Sequence, residues 1–158
     1  MTDDSGSLAA VILAHVVAEP ARVQAMADAA REAGSQPVVV VLARGVDGPS
    51  DLRIARVSTG ASTISALRAG MALLTNTTAH LALILPLGED AWTSAQLLAL
   101  ADTARREPAA VTAFEGADLD RSPVIVSRDA WLDVVTLGEQ GLGAVANKRG
   151  VNRVRLKV

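Results

Sequence analysis

Apolar residues cluster in short runs along this chain, and the spacing between the runs sets out its elements. Leu8 to Ala14 is unbroken by polar side chains, as expected of a strand buried on both faces. Pro20 suits a first helical turn, where its missing N–H costs nothing. Val23, Met26, Ala27 and Ala30 then recur at helical spacing, and Gly34 can take the left-handed conformation that closes a helix. Val38 to Leu42 is a second buried strand, which completes a βαβ unit with a right-handed crossover. After a loop over Arg44 to Asp51, Ile54 to Val57 predicts a short strand. Ser62 or Thr63 can cap a helix carrying Ile64, Leu67, Met71 and Leu74 along one stripe.

Leu81 to Leu85 is a further strand. Thr93 and Gln96 have the spacing of a capping box, opening a helix that buries Leu97, Ala101 and Ala104 before Pro108. Ala110 to Phe114 and Pro123 to Val126 predict strands separated by the polar stretch Glu115 to Ser122. Ser127 can cap a helix carrying Trp131, Val134 and Val135, and a short helix runs from Leu142 to Lys148. Val151, Val154 and Leu156 alternate with polar residues in a half-exposed last strand. Such alternation of strands and helices predicts one three-layer α/β/α sandwich with a mostly parallel sheet over 8–158, preceded by a short tail over 1–7.

Composition narrows the function. The 158 residues fit one domain and contain no cysteine, which excludes disulfides, thiolate metal sites and a cysteine nucleophile. Half the residues are apolar, yet Trp92, Trp131 and Phe114 are the only aromatic ones, so the core must be aliphatic. A net charge of −2 argues against nonspecific nucleic-acid binding. No apolar run approaches the roughly 18 residues of a membrane span. The first seven residues carry acids and no basic segment, so no secretory signal is expected and the expected compartment is the cytoplasm.

Several segments, in order, resemble the MobA-like nucleotidyltransferases. Val11-Ile12-Leu13-Ala14 matches the end of that family's first strand, and Val16 to Gly34 followed by Pro37 to Leu42 matches its first helix and valine-rich strand. Gly60, Ser65, Leu67 and Gly70 approximate its second signature, on the loop and helix facing the base. Leu87-Gly88-Glu89-Asp90-Ala91 approximates its Gly-Asp-x-Pro signature, and Leu137-Gly138-Glu139-Gln140-Gly141 a late Gly-Asp segment. The resemblance implies a nucleotide-diphospho-sugar transferase-like (Rossmann-like) fold and magnesium-dependent transfer of GMP or CMP to molybdopterin. It also implies a nucleotide site at Ala14, His15, Gly60, Ser62 and Ser65, with magnesium at Glu89, Asp90 and Glu139.

One departure outweighs the matches. The family places a glycine-rich loop with serine, arginine and lysine after the first strand, whereas this chain passes through His15-Val16-Val17-Ala18-Glu19-Pro20. Backbone amides and a lysine normally neutralise a polyphosphate there. This segment has neither glycine nor lysine. The expectation is therefore a degenerate, noncatalytic binding or assembly module, with a rearranged enzyme or a homodimer as alternatives.

Several residues have plainer explanations. Glu89 and Asp90 also suit solvated acids near a helix N-terminus, His15 a structural histidine, and Ser62 and Ser65 a helix cap. The basic end, Lys148, Arg149, Arg153, Arg155 and Lys157, suits a charged edge that discourages sheet-to-sheet pairing better than a polyanion site. An open pocket at the carboxyl ends of the first strand and of Leu81 to Leu85 would favour a ligand. Filling by His15, Val16 and Trp92 would count against one.

Overall fold

The computed structural model describes residues 7–16, 19–88, 91–136 and 141–155. Seven strands among them form one sheet: β1 (Leu8–Leu13), β2 (Ser35–Ala43), β3 (Arg53–Val57), β4 (Leu81–Pro86), β5 (Val111–Phe114), β6 (Val124–Ser127) and β7 (Val151–Val154). Their order is β3-β2-β1-β4-β6-β5-β7, and β6 alone runs antiparallel to its neighbours. The helices are α1 (Pro20–Glu32), α2 (Thr63–Ala72), α3 (Ser94–Arg106), α4 (Trp131–Thr136) and α5 (Gly141–Arg149). No helix is long and apolar enough to cross a membrane, among the described residues.

Strand β1 explains the three layers. All six of its residues are buried, because successive side chains point to opposite faces and both faces are covered. Ala9, Val11 and Leu13 pack with Ala66, Leu67 and Met71 of α2 and with residues of α4 and α5. Ala10 and Ile12 pack with Val23, Met26 and Ala27 of α1 and with Leu97, Leu100 and Ala101 of α3. Each fully buried Leu, Val, Ile or Met contributes roughly 1.5–3 kcal/mol, so this doubly covered aliphatic sheet needs few aromatic residues.

Local signals behave as their chemistry requires, with some corrections. Thr93 and Gln96 form the capping box of α3, and Gly34 has φ +97° after α1. Ser62, rather than Thr63, caps α2 by accepting from the Ser65 N–H at 3.1 Å. Ile64 is only half-buried, and Gly70 joins the buried face instead. Ser127 does not cap a helix: its hydroxyl donates to the Asp129 carboxylate, and a 3-10 turn over Arg128–Ala130 intervenes before α4. In β7, Val151 is exposed while Val154 packs on the core, since residues three apart on a strand face opposite sides.

The basic chain end is largely neutralised. Lys148 and Arg149 pair with Asp133, Arg149 also with Asp129, and Arg155 with Glu115. Arg153 donates to the carbonyls of Phe114 and Ala117. Lys157 lies outside the described residues.

Candidate functional site

The chain runs from β1 to β2 and β3 on one side of the sheet, then returns to place β4 on the other side of β1. Such a reversal leaves a crevice beyond the carboxyl ends of the two diverging strands, where ligands bind in open α/β sheets. The strands stay paired up to its rim: the Ala14 N–H donates to the Val41 carbonyl, and the Leu87 N–H to the Leu13 carbonyl, both at 3.0 Å. A cleft of about 480 Å³ opens just beyond.

Its walls come from five parts of the chain. Leu13 ends β1, and His15 and Val16 follow it; Pro86 ends β4, with Leu87 and Gly88 just beyond. Thr63 stands at the first turn of α2, while Trp92 precedes α3. The loop between β5 and β6 supplies Asp120 and Arg121, and it reaches this end of the sheet because β5 runs parallel to β1 before β6 turns back. His15, Val16 and Trp92 line the cleft without filling it.

The polar groups are few and distinct. His15 is half-buried, and both its ring nitrogens are shielded from water without a hydrogen-bond partner among the described residues. Burial lowers its pKa from the ordinary histidine value, so the imidazole is held neutral, with one donor and one acceptor. Asp120 accepts from the Leu142 N–H at 3.3 Å, which ties this loop to α5. Arg121 is exposed and lies 3.8 Å from Asp118. Trp92 stacks on Phe114, with ring centroids 5.3 Å apart and planes 4° from parallel.

The linkage for His15 has a definite sign. A folded-state pKa below the unfolded value means the unfolded chain binds more protons in the window between them, so stability rises with pH there. Its contribution is complete above the unfolded histidine pKa of about 6.5 and is lost as the pH falls toward the folded value. A His15→Leu variant should therefore lose less thermal stability than the parent between about pH 8 and about pH 5. Parallel melting curves for the two proteins would refute this.

The residues expected to bind nucleotide separate here. His15 lines the cleft, whereas Ala14 is fully buried one residue below it. Gly60, with φ +80°, closes the turn before α2 and does not line the cleft. The Ser62 hydroxyl caps α2 and donates to the Ser65 hydroxyl at 3.1 Å, and neither serine faces the cleft. Glu89, Asp90 and Glu139, expected to hold magnesium, lie outside the described residues. Among the described residues no three metal-ligating side chains come together. Thr63, Asp120 and Arg121 were not singled out from sequence as ligand residues; only the polarity of Glu115 to Ser122 hinted at the last two.

The strand order and layers define a nucleotide-diphospho-sugar transferase-like fold, and solved structures share it. Rv0371c from Mycobacterium tuberculosis H37Rv is similar over 99% of this chain and 90% of its own, with a TM-score of 0.76 and 16% identity. The same protein is also known in complex with manganese. A nucleotidyl transferase from Methanothermobacter thermautotroptrophicus is similar over 96% and 88% of the two chains, with a TM-score of 0.72 and 15% identity. A CMP:2-keto-3-deoxy-manno-octonic acid synthetase complexed with CTP is similar over 96% and 90%, with a TM-score of 0.68 and 11% identity. No protein-family model and no curated protein sequence matches the chain.

Proposed function

We propose that this chain is a degenerate, MobA-like member of the nucleotidyltransferase-like fold that binds a small ligand and does not transfer nucleotides. The observation that carries the proposal is the passage from β1 to α1. Only residues 14–19 separate Leu13 from Pro20, and they include no glycine and no lysine. Glu19 stands at the N-cap of α1 without a side-chain capping bond, and Pro20 at N1 has no N–H to offer. A carboxylate at the helix entrance repels phosphate. Loss of one well-aimed oxyanion donor costs about 2.7–4 kcal/mol of transition-state stabilisation, so losing a whole cradle removes most of the catalysis.

The cleft supports ligand binding. Its apolar wall of Leu13, Val16, Leu87 and Trp92 suits a flat uncharged group, and neutral His15 sets no charge against it. Magnesium would depend on Glu89 and Asp90, since Asp120 is the one carboxylate residue on the described wall and already accepts a backbone N–H. The open cleft also favours a second reading, residual transfer from GTP or CTP to molybdopterin or another small acceptor through a rearranged site. The manganese and CTP complexes of structurally similar proteins lend that alternative weight.

Calorimetric titration separates the two. With magnesium or manganese present, cytidine or guanosine should bind about as tightly as its triphosphate, and incubation with a pterin acceptor should yield no nucleotidyl product. A strong preference for the triphosphate, with transfer abolished by Glu89→Ala, would establish the enzyme instead. No heat from nucleosides or nucleotides would remove nucleotide binding altogether and leave an assembly module, by way of a homodimer or another protein.

A further inference from the structure

Three local contacts fix Trp92 in the wall of the cleft. The residue after it, Thr93, is the N-cap of α3 and closes the capping box with Gln96. Trp92 itself packs on the core cluster that includes Leu97, the fourth residue of that helix, in the sequence relation of a hydrophobic staple. Behind it lies Phe114, 1% exposed, in the parallel, offset arrangement that aromatic pairs prefer. The indole is half-buried, and it lines the cleft. Its N–H donates to no acceptor among the described residues, whereas the Trp131 N–H donates to the Val126 carbonyl at 2.9 Å. Polar side chains offer little to the edge of a ring lying there. Thr63, Asp120 and Arg121 line the cleft but are exposed, and the His15 ring nitrogens are shielded. Leu13, Val16, Pro86 and Leu87 are apolar.

We propose that the ligand of this cleft stacks on Trp92, and that the cleft selects a planar aromatic ring by its area rather than by its donors and acceptors. The inference rests on the reading of this cleft as a small-ligand site. An indole already held by Phe114 and the α3 cap loses little conformational freedom when a ring settles on it. Every base has a π-face, so stacking tolerates differences in ring chemistry. A sugar alone has no such face. Purines therefore bind ahead of pyrimidines, because they overlap more of the indole. Adenine and hypoxanthine, whose hydrogen-bonding edges are reversed, bind alike.

The intact chain is titrated with adenosine, inosine, cytidine and ribose, by calorimetry and by its indole N–H resonances. There are two such resonances, from Trp92 and Trp131, and the second serves as an internal control. Adenosine and inosine should bind with similar affinity, cytidine more weakly and ribose not at all, and the Trp92 resonance alone should move. Trp92→Leu should weaken adenosine binding by about tenfold, as loss of an aromatic stacking partner does. Trp92→Phe, which keeps a smaller ring, should weaken it less, and it carries the test if the leucine variant does not fold. The stacking proposal alone falls if nucleosides bind while the Trp92 resonance stays still or folded Trp92→Leu binds like the parent. It falls equally if cytidine binds as tightly as the purines, or if inosine and adenosine differ by tenfold or more. Absence of binding by every nucleoside would remove the proposal together with the nucleoside-binding reading beneath it.

Discussion

Replacing Arg128 with alanine is expected to lower the unfolding free energy by about 2–4 kcal/mol, a large share of the stability of a domain this size. The guanidinium donates to the carbonyls of Thr77 at 2.6 Å, Ala79 at 2.7 Å and Thr75 at 2.8 Å. Those carbonyls belong to the connection from α2 to β4, where the chain has left the helix and has few backbone partners to offer them. The same guanidinium stands 4.7 Å from the centre of the Trp131 ring, a cation–π contact that adds about 0.5–1 kcal/mol. One side chain therefore ties the loop before β4 to the segment after β6. Arg128→Lys should recover less than half of the loss, because an ammonium cannot spread three hydrogen bonds across a planar fork. Denaturant unfolding measures both variants, and a loss under about 0.5 kcal/mol for alanine would show that water replaces the guanidinium without cost.

A methyl group added at Gly70 should also destabilise the fold, for the opposite reason. An added Cβ would stand 2.4 Å from Val11 Cγ1 and 3.0 Å from Val41 Cγ2, both fixed in the sheet beneath α2. Overpacking of this kind costs about 1–3 kcal/mol, against a helix-propensity gain for alanine of about 1 kcal/mol. The net loss for Gly70→Ala is expected to reach up to about 2 kcal/mol, and Gly70→Val should exceed it. A double-mutant cycle with Val11→Ala gives the sharper test. The shortened Val11 makes room, so the two losses together should fall well short of their sum. Strict additivity would mean that α2 tilts away rather than pressing on Val11.

Gly70 also shows how a sequence signature and a structural need can overlap. The family pattern implied a role on the loop and helix facing the nucleotide, while the structure gives the glycine a packing reason that requires no ligand. Ser62 and Ser65 teach the same lesson, since their hydroxyls are taken up in capping α2. The sandwich itself was legible because burial on both faces leaves continuous apolar runs, as in Leu8 to Ala14 and Val38 to Leu42. The antiparallel direction of β6 was not, because hydrophobic pattern carries no sign of strand direction. Without that direction, nothing in Glu115 to Ser122 could assign Asp120 and Arg121 to the end of the sheet where His15 lies. Val151 misled for a simpler cause: a valine reads as inward-facing until the register of an edge strand is known.

The single reversed strand has a consequence for how this protein could change over time. Because β6 returns the chain to the rim, charged groups enter the crevice from the loop between β5 and β6, while its greasy side is built from the ends of β1 and β4 and from Trp92. Alterations in one stretch need not disturb the other. What the crevice recognises could thus be retuned by drift between Gly116 and Ser122, far along the chain from the passage between β1 and α1.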